Sequence, residues 1–296
     1  MDLCVDRAVC AMIAQIISFF ASMSIAKADF IEGMAKGLAV LESFNTERQR
    51  LNATQAAQRA GITRAAARRH LLTLAHLGYL ETDGSHYWLS AKVLRFSGSY
   101  LASARLPKTV QPVLNRLASV YPDAFSVAVL DDDAVVIVAR SVSLVAHSMA
   151  QELNAVSRSL SSPMPARLLA HGLHLGARLP AHATSTGRVL LAAKSDEEWD
   201  QWLAGHALPR LTGRTETDPE RLRAELVQVR SQDHALASET HELGVHAVAV
   251  PLRDATGQTV AALNAVLSAE RLQRGAVARE ILPALHDVAR ELRTAL

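Results

Sequence analysis

Residues 61–80 leave little freedom in what the N-terminal part of this chain can fold into. Gly61 breaks one short helical run, and Thr63 offers an N-cap hydroxyl for the next. Ala67, Leu71 and Leu74 then recur at helical spacing until Gly78 ends the pattern, near Leu77. Upstream, Ile31, Met34, Leu38, Leu41 and Phe44 mark a first helix, and Asn52 or Thr54 can cap a second that runs to Arg59. Downstream, Tyr79-Leu80-Glu81 and His86-Tyr87-Trp88-Leu89 flank Asp83-Gly84, a strong hairpin signal. Helix, helix, turn, helix, hairpin over residues 30–90 is the order of a winged helix-turn-helix.

Charge supports that reading by its distribution rather than its sum. The 296 residues carry a net charge of only +2. Yet between Thr46 and His70 stand Arg48, Arg50, Arg59, Arg64, Arg68 and Arg69 against the single acid Glu47. A local basic patch on a near-neutral protein suits phosphate contacts, though a solvated arginine face would look the same. In the third helix Ala67, Leu71 and Leu74 share the packing face, while Ala65, Arg68, Arg69 and Thr73 point away, with Arg64 at its exposed start. Arginine forks suit guanine edges or phosphate oxygens, and small residues at Ala65 and Ala66 let a backbone approach bases. Thr63, Arg64, Ala65, Ala66, Arg68, Arg69 and Thr73, with Ser85 and His86 on the wing, are therefore the candidate DNA-contacting residues. Leu72 also falls on the outer side, where this pattern gives it no role.

The rest of the chain reads as a linking helix (91–106) and a second domain (107–296) that Pro107 and Pro112 open. Strands are expected at 125–130 and 134–139 around Asp131-Asp132-Asp133, and at 245–252 and 258–267 around a second hairpin. Helices are expected at 184–193, 196–203 and 219–232, and an amphipathic one follows from about Ala276. This mixture predicts an α+β domain with a mainly antiparallel sheet. The first 29 residues are an extra tail. Its apolar run at 11–26, after Arg7 and before Ala26-Lys27-Ala28, has the look of a weak secretory signal but is short for a membrane span. An added helix, or a start codon placed ahead of Met23, fits the remaining chain better. The two cysteines, Cys4 and Cys10, both lie in that tail, so the body holds neither a disulfide framework nor a cysteine-based zinc site. A cytoplasmic protein with no membrane partner is expected.

The run Gly61-Ile62-Thr63-Arg64-Ala65-Ala66-Ala67-Arg68-Arg69-His70-Leu71-Leu72-Thr73-Leu74, followed by Leu77-Gly78-Tyr79-Leu80, resembles the recognition helix and wing entry of the IclR family of bacterial regulators. The likeness extends from about Phe30 to the C-terminus. Lys36-Gly37-Leu38-Ala39-Val40-Leu41, Lys92-Val93-Leu94-Arg95-Phe96 and the stretch Leu179-Pro180-Ala181-His182-Ala183-Thr184-Ser185-Thr186-Gly187-Arg188 look like the branch that regulates the β-ketoadipate route. The resemblance implies a GAF-like effector-binding domain, with one small acid per subunit: 4-hydroxybenzoate, protocatechuate or β-ketoadipate. It also implies double-stranded promoter DNA as partner, a homodimer that can assemble into a homotetramer, and RNA polymerase as a further contact. No cofactor is implied. Two stretches depart from the family, the tail and a Ser/Ala-rich segment, 142–165, that reads as an extra loop beside the effector pocket or a disordered insertion.

The residues themselves offer a receptor for a carboxylate. Ala183-Thr184-Ser185-Thr186 immediately precedes a helix, where free N–H groups, hydroxyls and the positive dipole end converge. An N-cap with no ligand is the plainer alternative. Thr184, Ser185 and Thr186 are candidates on that ground. The family's pocket positions carry over to Leu168, His171, Leu179, Ser185, Val245, Ala247, Asn264 and Val266. Asn264 interrupts an apolar strand, so its amide needs a partner, either a ligand hydroxyl or a structural bond. His171, His182 and Arg188 stand open between charge pairing and a surface role.

Two other classes compete. A regulator of this family answering to a different organic acid is one. A metal-dependent hydrolase is the other, and it fits poorly. In His241-Glu242-Leu243-Gly244-Val245-His246 the second histidine is one residue too far for H-E-x-x-H, and neither a nucleophile elbow nor a phosphate loop is present. No metal site is assigned, and the chain is read as a non-enzyme.

Overall fold

In a computed structural model of the chain, residues 26, 28–45, 48–141 and 174–296 are described. They divide into two compact units between Phe96 and Ser97. Most of the N-terminal tail, Glu47, the 142–165 segment, Leu168 and His171 lie outside the described residues.

The first unit holds α1 (Glu32–Glu42), α2 (Ala53–Arg59), α3 (Arg64–His76) and the hairpin β1 (Leu80–Thr82) and β2 (Tyr87–Leu89). Its start signals work as their chemistry dictates. Asn52 closes a capping box with Gln55 at the head of α2, and Thr63 Oγ1 accepts from Ala66 N–H at the head of α3. Gly61 takes φ +63°, which lets the chain leave α2 without a Cβ penalty. Val40, Phe44, Ala67, Leu71, Leu74, Leu80 and Tyr87 form the core between the three helices and the hairpin. Leu51 joins it by an antiparallel bridge to Tyr87, which fixes the wing against the start of α2. A short turn, Ala91–Val93, leads into α4 (Leu94–Ser103).

The second unit is a six-stranded sheet in the order β5-β4-β3-β8-β7-β6, every pairing antiparallel. The strands are β3 (Ala124–Asp131), β4 (Ala134–Arg140), β5 (Arg178–Pro180), β6 (Ala235–Ser238), β7 (His246–Arg253) and β8 (Thr259–Leu267). One face is covered by α5 (Arg105–Val120) and the C-terminal helix α10 (Leu282–Leu292), through residues such as Val113, Leu117, Leu285 and Val288. Before α10 lie the short α9 (Ala269–Gln273) and a π-helical turn, Val277–Ile281. The other face carries α6 (Ser185–Ala192), with α7 (Asp196–Gly205) and α8 (Pro219–Gln232) outside it. Under α6 that face is built of small side chains, Ala128, Ala249 and Ala262, so the helix lies close to the strands.

The structure corrects the reading of the prolines. Pro107 and Pro112 do not open a unit; both lie within α5. Pro107 sits in its first turn, where backbone N–H groups have no intrahelical partner anyway. Pro112 is exposed, so the carbonyl it strands at Lys108 can turn to water. The expected linking helix accordingly stops at Ser103, and a new helix begins at Arg105.

Candidate functional site

In the first unit the structure puts Thr63, Arg64, Ala65, Arg68, Arg69 and Thr73 on the exposed face of α3, with Ala66 half-buried. None of the three arginines has an acidic partner among the described residues. Arg59 differs. Its Nε donates to Ser43 O at 2.6 Å, which commits it to holding α2 against the end of α1. Thr73 spends its hydroxyl hydrogen on Arg69 O (2.9 Å). Leu72 is 42 % exposed on the same side.

The wing tip is built around Asp83. Its carboxylate accepts from Ser85 N–H (2.9 Å), His86 N–H (2.7 Å) and the Ser85 hydroxyl (2.9 Å), bonds that bring its pKa down to about 2. Ser85 is exposed at the tip and His86 is half-buried beside it. Arg50 lies 4.2 Å above the Trp88 ring and 3.8 Å from Asp83, so a cation flanks the wing from the segment before α2.

The second unit contains an open cavity of about 590 Å³, its mouth included, at the N-terminus of α6. Leu179, Thr184, Ser185, Thr186, Val245, Ala247, Asn264 and Val266 all line it. Ala183, from the receptor stretch, and Ala237, Thr240, His241 and Glu242 complete the described lining, and the sequence reading did not place the last four there. The signal for His241 and Glu242 was present in the failed metal-motif match; Ala237 lies on β6, a strand too short to announce itself.

The receptor end is specific in its chemistry. Thr184 is the N-cap of α6, and its Oγ1 accepts from Gly187 N–H at 3.1 Å. Ser185, 1 % exposed, has no hydrogen-bond partner for its Oγ among the described residues. A buried hydroxyl without a partner is costly, and here it lies in the cavity wall at the positive end of a helix. Asn264 Oδ1 accepts from Ser126 Oγ at 2.6 Å across the β3–β8 pair. That bond is structural, and it leaves the carboxamide N–H groups as what Asn264 can offer a guest. Thr240 Oγ1 donates to Ala183 O (2.7 Å), which ties the rim at 239–242 to the approach of α6.

Gly187 makes the geometry attainable. A Cβ there would stand 2.1 Å from Ala181 O and 2.4 Å from Ala181 Cα, so only glycine lets the first turn of α6 fold back on the preceding turn. His182 and Arg188 have no surface role, because both are buried, at 2 % and 7 % exposure. Arg188 Nε donates to His182 O (3.0 Å) and its guanidinium pairs with Glu225 of α8 at 3.0 Å. His182 Nε2 lies 3.1 Å from Pro209 O. Burial holds the imidazoles of His182 and His241 below their ordinary value, so the cavity region favours neutral histidines. The described residues contain no group of three or more His, Cys, Asp or Glu placed to hold a metal ion.

The sequence matches the family described as "IclR helix-turn-helix domain" over residues 33–84, and "Bacterial transcriptional regulator IclR C-terminal" over residues 155–294. It is 46 % identical over 268 residues to the Pca operon regulatory protein of Acinetobacter baylyi, covering 90 % of each chain. It is 47 % identical over 265 residues to the p-hydroxybenzoate hydroxylase transcriptional activator of the same organism, covering 90 % of this chain and 92 % of that one. Among solved structures, it is similar to a double mutant of the inducer-binding domain of the PobR transcription factor from Acinetobacter, in complex with 3-hydroxybenzoic acid. There the identity is 39 % and the TM-score 0.54, over 64 % of this chain and 98 % of that one.

Proposed function

The chain belongs to the IclR family of bacterial transcriptional regulators, and from that premise we propose that it controls genes of aromatic-acid catabolism in answer to a small aromatic carboxylate. It is a DNA-binding regulator rather than an enzyme. The observation that carries the ligand assignment is Ser185 Oγ: a buried donor without a partner among the described residues, at a helix N-terminus, facing a cavity whose other walls are largely apolar. A carboxylate satisfies the hydroxyl and the free N–H groups of the first turn, the apolar walls take a ring, and Asn264 or His241 is available to a ring hydroxyl. The relatives' ligands and operons point to the same chemistry. 4-Hydroxybenzoate, protocatechuate and β-ketoadipate are the acids to try, and each is expected to be tested against the intact protein by thermal shift. An acid present at a hundred times its Kd raises unfolding free energy by about 2.7 kcal/mol. If no aromatic or dicarboxylic acid moves the melting temperature, this assignment is wrong.

At the other end α3 enters the major groove of promoter DNA, with Arg64, Arg68 and Arg69 on guanine edges or phosphates. Thr63, Ala65, Ala66 and Thr73 then lie close to the bases, and Ser85 and His86 meet the flanking backbone. Two copies pair through their N-terminal units, presenting two recognition helices to a two-fold site. Ile31, Met34 and Leu38 support this: they form one stripe along α1 at 65 %, 63 % and 53 % exposure, apolar surface that a second copy would cover. Higher assembly to a tetramer and contact with RNA polymerase in the cytoplasm complete the scheme. Among the described residues no helix is long and apolar enough to cross a membrane. Effector binding shifts transcription to the extent that it favours one arrangement over another.

A further inference from the structure

The recognition helix ends in a cap that its own backbone completes only in part. Tyr79 N–H donates to Leu74 O and Gly78 N–H to Ala75 O, both at 2.9 Å, with Gly78 at φ +80°. These are the paired bonds of a Schellman ending. Three carbonyls beyond these, those of Leu77, Gly78 and Tyr79, are all taken by one short stretch of chain. Lys92 Nζ donates to Leu77 O at 2.6 Å, Ser90 Oγ to Gly78 O at 2.5 Å and Ser90 N–H to Tyr79 O at 2.9 Å. The Lys92 ammonium also lies 4.7 Å from the centre of the Tyr79 ring. On Tyr79 stacks Phe96, its centroid 5.7 Å away and its plane tilted by 16°. A cation at a helix C-terminus is favourable on its own account. What distinguishes this one is its position in the chain, four residues ahead of Phe96 and immediately before α4.

The consequence is mechanical. The chain at 90–96 cannot turn or slide without either breaking these bonds or carrying the end of α3 with it. Phe96 is 64 % exposed, so among the described residues its stacking holds this junction rather than a core. We propose that Lys92 is a positioning residue for DNA recognition, fastening the start of α4 to the end of α3 so that the effector-dependent response reaches the recognition helix through it. This rests on the regulator reading above.

The test uses the full chain, with Lys92→Met, Lys92→Arg and Phe96→Ala, on a promoter fragment selected from random duplexes by the wild type, with 4-hydroxybenzoate as the effector. Three quantities are read: transcription in vitro with and without the acid, calorimetric affinity for the acid, and melting temperature. Lys92→Met should bind the acid as the wild type does, yet its effector-dependent change in transcription should shrink at least threefold. Lys92→Arg, which restores a donor to the Leu77 carbonyl, should recover most of it. Phe96→Ala removes an exposed ring and should shrink the response in the same direction without unfolding the chain. A responsive wild type with an equally responsive Lys92→Met and Phe96→Ala overturns the coupling alone. A wild type that ignores the acid overturns the effector reading and the coupling with it.

Discussion

At the scale of single residues, the effector end depends on groups whose importance comes from what surrounds them. Gly187 is the sharpest case. Replacing it with alanine forces the first turn of α6 off Ala181, because a Cβ 2.1 Å from a backbone oxygen has no flexible neighbour to push aside. Gly187→Ala should destabilise the protein by about 1–3 kcal/mol, in the range of overpacked cores, and weaken effector binding together with it. Calorimetric melting with and without 4-hydroxybenzoate checks both, and an unchanged melt would refute the close approach. His182 gives a pH dependence with a definite sign. Burial first, then Arg188 and His241, favour its neutral form, against Asp133 and the Pro209 carbonyl. The unfolded chain therefore binds the extra proton once pH falls below about 6.5, and stability declines from there toward the lower folded pKa. Melting temperature should drop between pH 7.5 and 5.5, and by less in His182→Gln. Equal drops in the two proteins would remove His182 from the account.

At the scale of elements, legibility in the sequence followed how local each signal is. The second and third helices and the hairpin of the first unit were readable because each is bounded by its own punctuation, Asn52, Gly61, Thr63, Gly78 and Asp83-Gly84, whereas the first helix, without a side-chain cap, was readable from its apolar spacing alone. The N-terminus of α6 was readable for the same reason, through Thr184. What was not readable is what only the sheet decides. β5 and β6, of three and four residues, exist because β4 and β7 supply their hydrogen-bond partners. The bond from Ser126 to Asn264 needs β3 beside β8, 138 positions apart. Arg188 stood open between charge pairing and a surface role because its partner, Glu225, lies on a helix 37 positions later. The arginines of α3 allow a prediction at this scale. Arg68→Ala with Arg69→Ala should flatten the dependence of log K on log salt by about 0.9 for each phosphate left without its arginine. Binding isotherms across salt concentrations measure it, and an unchanged slope and affinity would mean that α3 does not touch DNA.

At the scale of the whole molecule, the chain joins two units whose tasks are chemically distinct. Among the described residues, one presents guanidinium groups without an acidic partner on an exposed helix; the other presents an unsatisfied hydroxyl at a helix N-terminus in a largely apolar cavity. The central claim is that a carboxylate is what the second is built to receive. Calorimetric titration of the wild type and Ser185→Ala with 4-hydroxybenzoate, and of the wild type with its uncharged methyl ester, tests this most directly. The account predicts one acid bound per subunit, an ester that binds far more weakly, and a loss of about tenfold in Ser185→Ala, the worth of one charge-assisted hydrogen bond. Acid and ester binding alike, or Ser185→Ala binding the acid as tightly as the wild type, would contradict it.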